Sequence, residues 1–165
     1  KRAYAIVRLA LDLGLRSGEI ANLNLDDVDW RSGTLILRGT KSQRQDVVPL
    51  PEQTGKALAD YIEHERSAIR HPAIFVRQIA GRTTPITSCA VQKVIKCACR
   101  RIGLPDASAH ALRHTVACRL VERGSSLKEV ADLLRHRSLN STLIYAKLDT
   151  PKLAAVALPW PGSMA

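Results

Sequence analysis

Thr34-Leu35-Ile36-Leu37-Arg38-Gly39-Thr40-Lys41-Ser42-Gln43-Arg44-Gln45-Asp46-Val47-Val48-Pro49-Leu50 is the stretch that decides the fold class. Two strand-like runs, Thr34 to Leu37 and Asp46 to Leu50, flank a polar tip at Gly39 to Gln43, and this predicts a β-hairpin. Nearly everything around it reads as helix. Upstream, Tyr4, Ile6, Val7, Leu9, Ala10, Leu11 and Leu13 recur at helical spacing, and Gly14 is a stop or bend. A short helix follows from Ser17, its possible cap, to about Leu23, before an acidic turn at Asp26, Asp27 and Asp29. Downstream, Pro51 starts a helix through Leu58, Tyr61 and Ile62 towards Ile69, and Ala73 to Val76 is a third short strand. Thr87 or Ser88 caps a basic helix that ends near Gly103. A further helix runs from about Ala109 to Glu122 and closes at Gly124. Ser126 and Glu129 form a capping box for Leu127 to Leu134. Two more helical pieces hold Thr142 to Tyr145 and open at Thr150 and Pro151. The expected fold is α+β, mainly helical, with a small three-stranded antiparallel sheet in the N-terminal part.

The chain has 165 residues, 45% of them hydrophobic, the size of one domain with a core. No apolar run reaches the roughly 20 residues of a membrane-spanning helix and no signal-peptide pattern is present, so the reading is a soluble, intracellular protein. Lys1 opens the chain and helical pattern begins almost at once, which reads as a piece of something longer. Lys and Arg number 25 against 15 Asp and Glu, a net charge of +10. The excess is localised: residues 1–65 carry 9 basic and 10 acidic side chains, and residues 66–165 carry 16 and 5. Between Arg66 and Pro105 stand Arg66, Arg70, Arg77, Arg82, Lys93, Lys96, Arg100 and Arg101 without one acid, a phosphate-seeking stretch. An anionic membrane fits it less well than nucleic acid, because the stretch has one Phe and no Trp. Cys89, Cys97, Cys99 and Cys118 form no C-x-x-C pair, against a disulfide scaffold or structural zinc site. Asp26, Asp27 and Asp29 lack a His partner and read as a turn cluster, with no metal expected.

The chemistry-bearing string is His110-Ala111-Leu112-Arg113-His114. His110 and Arg113, three apart, share one helix face near an N-terminus that also favours an anion. Twenty-three residues beyond Arg113 stands His136, between Arg135 and Arg137, and nine further on stands Tyr145. Gly14-Leu15-Arg16-Ser17-Gly18-Glu19 follows the first apolar helix. Each element alone is an ordinary surface feature. Together, Gly-Leu-Arg-x-x-Glu, a Lys on a hairpin, His-x-x-Arg-His, and a His followed nine residues later by Tyr resemble the catalytic domain of the tyrosine recombinases, or phage integrase family, from about residue 5 to residue 148.

The resemblance implies a DNA breaking-rejoining fold and site-specific recombination or integration, with strands cut and rejoined through a 3′-phosphotyrosine, without metal or cofactor. It makes Tyr145 the nucleophile, Arg16 and Arg113 the clamp on the scissile phosphate, and Lys41 the donor to the leaving oxygen, with Arg44 competing for the Lys41 match. His110 relays the tyrosyl proton, His136 bonds the phosphate, and Glu19 supports the site by hydrogen bonding. Arg44, Arg82, Lys93, Lys96, Arg100 and Arg135 are the further DNA-binding candidates; Arg135 is a departure, because the family commonly has Gly before that His. Tyr4 and Tyr61 read as packing residues. His64, His71 and His114 read as structural or surface, the last packing beneath the site. The implied partner is double-stranded DNA, bound as a homo-tetramer in the full-length protein, with the isolated domain monomeric, cytoplasmic and nucleoid-associated. Residues 1–165 then form the catalytic domain, with an N-terminal core-binding domain outside this chain. Residues 150–165 are a tail that packs on its own domain or on a neighbouring protomer. Two rival readings are a basic DNA-binding module with a vestigial site and a type IB topoisomerase; the compact spacing and Gly-Leu-Arg-x-x-Glu fit a recombinase better.

Overall fold

The computed structural model describes residues 1–38, 45–66, 68–104 and 107–135. The chain divides into two compact units, Lys1–Val116 and Ala117–Ala165.

In the first unit, helix α1 (Arg2–Asp12) buries Ala5, Ile6, Leu9 and Ala10 on one face. It stops where Gly14 turns to φ +59, a left-handed conformation that costs a residue with a Cβ about 1–2 kcal/mol. Helix α2 (Ser17–Ala21) begins three residues later, with Arg16 and not Ser17 at the cap position. Ser17 is already inside the helix and buried. A 3-10 turn at Leu25–Asp27 leads into the sheet. There β1 (Val28–Asp29), β2 (Thr34–Arg38) and β3 (Gln45–Pro49) pair antiparallel in the order β1-β2-β3. Leu35 opposite Val48 faces the core, and Ile36 opposite Val47 faces outward.

The expected three-stranded sheet is present, but its third strand is Val28–Asp29, not Ala73–Val76. Ala73 makes a single bridge with Asn24, and Val76 opens a separate hairpin of β4 (Val76–Ile79) and β5 (Arg82–Pro85). Ala80 and Gly81 turn that hairpin with φ of +49 and +75, the twist that matches paired strands. Ala-Gly is not the usual Asn-Gly or Asp-Gly signal, which is why the sequence hid it.

Helix α3 (Glu52–Glu65) ends four residues before the expected Ile69, because Arg66 turns inward. Its guanidinium is buried, with Nε 3.1 Å from the Ala73 carbonyl and 3.0 Å from that of Ile74, and Nη2 also donates to His71. Arg66 therefore organises a loop, and its place in the phosphate-seeking stretch is corrected; the seven other basic residues of that stretch are exposed. Helix α4 (Ser88–Arg101) is capped by Thr87, whose hydroxyl accepts the Ala90 amide at 3.2 Å. It buries Val91, Ile95 and Cys99 and exposes Cys89 and Cys97. The core gathers Ile6, Leu9, Leu15, Ile20, Leu35, Leu58, Ile74, Phe75, Val91 and Ile95, with Tyr61 stacked on Phe75 at 5.4 Å.

Helix α5 (Ala109–Glu122) runs through the boundary between the units. In the second unit, α6 (Leu127–Leu133) opens on the expected capping box: the Ser126 amide donates to Glu129 Oε2 at 2.7 Å and the Ser126 hydroxyl accepts the Glu129 amide at 3.2 Å. Among the described residues no helix is long and apolar enough to cross a membrane.

Candidate active site

The site is built on the left-handed turn after α1. Because Gly14 carries the chain away from the helix axis, its carbonyl faces α5, and Arg113 Nη1 donates to it at 2.5 Å. Ninety-nine residues of sequence separate those two partners. Arg113 is buried, only 5% exposed, so its charge is fixed in place by the fold. Two residues beyond Gly14, Arg16 projects with its side chain 46% exposed. One carboxylate steadies it: Glu19 Oε2 accepts the Arg16 amide at 2.7 Å and Oε1 accepts Arg16 Nη1 at 2.9 Å. Glu19 thus sets both the backbone and the guanidinium of Arg16.

His110 lies one turn before Arg113 on α5 and is exposed. Ser108 starts that helix, its hydroxyl accepting the Ala111 amide at 3.2 Å. His114 is exposed as well, so it does not pack beneath the site; four residues after His110 it sits on the open side of the same helix. His64 is a surface residue beside Asp60, and His71 accepts the Ala73 amide at 3.0 Å as a loop brace. Tyr4 is exposed on α1, whereas Tyr61 is 2% exposed and burial pushes its phenol above the usual tyrosine value.

Arg82 at the start of β5 and Lys93, Lys96 and Arg100 on α4 are exposed. The three on α4 follow i, i+3, i+7 spacing, which sets them along one stripe of the helix. In the second unit Arg135 stands just past α6 with φ +53, its Nη1 donating to the Leu133 carbonyl at 3.0 Å. A positive φ is what glycine supplies at a helix end. Arg135 keeps that conformation with a side chain in place of glycine. Lys41, Arg44, His136 and Tyr145, and the helical pieces and tail from residue 142 on, lie outside the described residues.

The acidic turn is structural, as expected. Asp27, 1% exposed, accepts Arg38 Nε at 2.6 Å and the Asn24 amide at 2.8 Å. Asp29 accepts the Arg31 and Ser32 amides, and the Ser32 bonds hold its carboxyl below the usual carboxylate range. Among the described residues no three His, Cys, Asp or Glu side chains gather as a metal site. The sequence reading missed Gly14 as an acceptor; the available signal was a glycine sitting two residues ahead of the candidate arginine, at the end of an apolar helix.

The architecture is of α+β type, helices with small antiparallel sheets. The chain belongs to the phage integrase family, whose sequence pattern matches residues 1–151. It is 40% identical to a Sinorhizobium fredii protein provisionally named integrase/recombinase y4rF, over 99% of this chain and 39% of that protein. The crystal structure of XerA recombinase superposes with a TM-score of 0.80 at 25% identity, covering 96% of this chain and 58% of that one. XerH site-specific recombinase, in a post-cleavage complex with palindromic difH substrate, superposes with a TM-score of 0.77 at 26% identity, covering 93% and 44%. The chain therefore spans about two-fifths of the y4rF length and about half of these recombinase structures.

Proposed function

We propose that this chain carries the strand-cutting chemistry of a site-specific DNA recombinase that acts on double-stranded DNA through a tyrosyl ester. The observation that carries the reading is the Gly14–Glu19 turn, where Arg113 is anchored to the Gly14 carbonyl and Arg16, two residues beyond Gly14, is held by Glu19. Two planar guanidiniums fixed near one turn suit a phosphate, which each can grip through two oxygens. XerH, a structural relative, is known bound to its DNA substrate, and this supports duplex DNA as the partner here.

The chemistry follows from those charges. Tyr145 Oη attacks phosphorus in line and the 5′ oxygen of the next nucleotide leaves. His110 takes the tyrosyl proton, and Lys41 gives one to the leaving oxygen, with Arg44 competing for the Lys41 match. Negative charge grows on the non-bridging oxygens, where Arg16, Arg113 and His136 stabilise it. The 3′-phosphotyrosine conserves the ester bond, so a free 5′ hydroxyl reverses the step and rejoining needs no nucleotide. Tyr61 is unsuited to the attack, being buried in the core. Arg82, Lys93, Lys96, Arg100 and Arg135 hold the DNA backbone. The full-length protein works as a homo-tetramer on two duplexes, in the cytoplasm at the nucleoid.

A pool of nicked random-sequence duplexes incubated with the full-length protein tests this. Covalent adducts are selected on denaturing gels, the linked DNA is sequenced, and the attached peptide is identified by mass. The expected outcome is enrichment of one sequence class attached at Tyr145, with no adduct from Tyr145→Phe. Salt-sensitive binding without any adduct, or equal adduct from Tyr145→Phe, sinks the proposal. Relaxation of supercoils without strand exchange points to a topoisomerase instead.

A further inference from the structure

Asp12, the last residue of α1, is met by two groups on one oxygen. Arg8 Nη2 forms an ion pair with Oδ2 at 2.8 Å from one turn back, and Thr54 Oγ1 donates a hydrogen bond to the same atom at 2.5 Å from the first turn of α3. Thr54 is fully buried, and the Arg8 and Asp12 side chains are 24% and 20% exposed. Arg8 Nε is buried without a hydrogen-bond partner among the described residues. A mostly desolvated ion pair with one guanidinium nitrogen left unsatisfied is a poor source of stability, and an apolar α1–α3 contact would serve the core better. What such a cluster supplies is a unique geometry.

Its place in the chain says which geometry. Gly14, whose carbonyl accepts Arg113, is two residues beyond Asp12, and Arg16 is four beyond. Thr54 is five residues beyond Pro49, where β3 ends, so the hydroxyl sits at the root of the hairpin formed by β2 and β3. The Asp12–Thr54 bond therefore joins the base of the arginine turn to the base of the hairpin whose sequence carries Lys41. We infer that Arg8, Asp12 and Thr54 are positioning residues, which hold the Gly14–Arg16 turn in register with the hairpin root during DNA cleavage. The inference rests on the function proposed above for the effect on rate, and on the fold alone for the effect on the turn.

Thr54→Val keeps the buried shape and removes the donor, and Asp12→Asn keeps the acceptor and removes the charge. Both are compared with the parent full-length protein on the nicked duplex selected above, well below the melting temperature. Thr54→Val slows single-turnover adduct formation by about 10- to 100-fold, the scale of a small misplacement of reacting groups, with DNA half-saturation unchanged. Thr54→Ser restores the rate, and Asp12→Asn slows it by a smaller factor. Amide exchange of residues 13–16 rises at least tenfold in Thr54→Val while that of Phe75 and Ile95 stays at the parent value. A lowered melting temperature with parental rate and parental exchange at residues 13–16 overturns the inference and leaves a structural bond only. If the parent itself forms no adduct, the proposed function fails, and the exchange measurement still decides whether the cluster fixes the turn.

Discussion

Helices α2 and α6 start in the same way and for different ends. In each, a glutamate three residues into the start reaches back to the cap residue's amide: Glu19 to Arg16 at 2.7 Å, and Glu129 to Ser126 at 2.7 Å. At α6 the cap is serine, which also accepts the Glu129 amide and completes the reciprocal box. At α2 the cap is arginine, which has no acceptor to offer, and Glu19 uses its other oxygen on the guanidinium. The residue that breaks the capping rule is the one proposed to act on phosphate. Departures from local preference collect where function competes with stability, and here one carboxylate performs both the cap and the positioning.

The largest expected effect comes from making the two starts alike. Arg16→Ser gives α2 the cap of α6, and stability is unchanged or higher by up to about 1 kcal/mol, since an exposed Arg16–Glu19 pair is worth no more than that. Adduct formation on nicked DNA falls about 100- to 1000-fold, as for a lost oxyanion donor. Urea melts and single-turnover gels on the same preparation measure the two; a matched loss of stability and rate would mean that Arg16 is a structural residue.

Matched substitutions at the two glutamates come next. Glu19→Gln still caps the Arg16 amide but gives up a charge-assisted bond to the guanidinium, for an expected loss of about tenfold in cleavage, or roughly 1.4 kcal/mol. Glu129→Gln at α6 leaves the cleavage rate at the parent value. Equal effects from the pair, read in one kinetic experiment, would erase the distinction between the two helix starts.

The helix ends offer a second contrast. Gly14 after α1 and Arg135 past α6 both have left-handed backbones, φ +59 and +53. Arg135→Gly relieves a strain of about 1 kcal/mol, part of it offset by the flexibility glycine adds to the unfolded chain. A thermal melt should show a gain of a few tenths of a kcal/mol up to about 1 kcal/mol. If Arg135 also touches a phosphate, the slope of log affinity against log salt falls by about 1. A stability gain without a change of slope assigns the side chain no DNA contact.

What the sequence made legible was local or periodic. The β2–β3 hairpin, the Thr87 cap, the Ser126–Glu129 box and the α5 span follow from neighbours within a few residues, and the motif spacing carried the family resemblance. What it hid was long-range or sign-blind. A basic residue in an acid-free stretch looks the same whether it meets DNA or, like Arg66, is buried among the carbonyls of Ile69, His71, Ala73 and Ile74. The bond from Arg113 to Gly14 spans ninety-nine residues, and nothing in either neighbourhood announces the other. The β4–β5 hairpin escaped because Ala80-Gly81 carries a positive φ at an alanine, which composition does not reveal. Ser17 was the expected cap on side-chain preference, yet the helix starts one residue earlier because Glu19 bonds the Arg16 amide.

The smallest expected effect is a pH dependence at the α6 start. The Ser126 amide and then its hydroxyl donate to the Glu129 carboxylate and hold it below the ordinary glutamate value. A group whose folded pKa is depressed contributes its stabilisation above the unfolded value, about 4.3, and loses it as the pH falls through the lower folded value. Protection of the α6 amides from exchange should therefore be level near neutrality and decline below about pH 4.3 in the parent. Glu129→Gln carries no titrating group there, so its α6 protection starts lower and shows less of this decline. The carboxylate lies in open solvent, so added salt flattens the difference. A decline of equal depth in the parent and in Glu129→Gln would place the acid sensitivity of α6 in other carboxylates and reduce the Ser126–Glu129 box to its neutral hydrogen bonds.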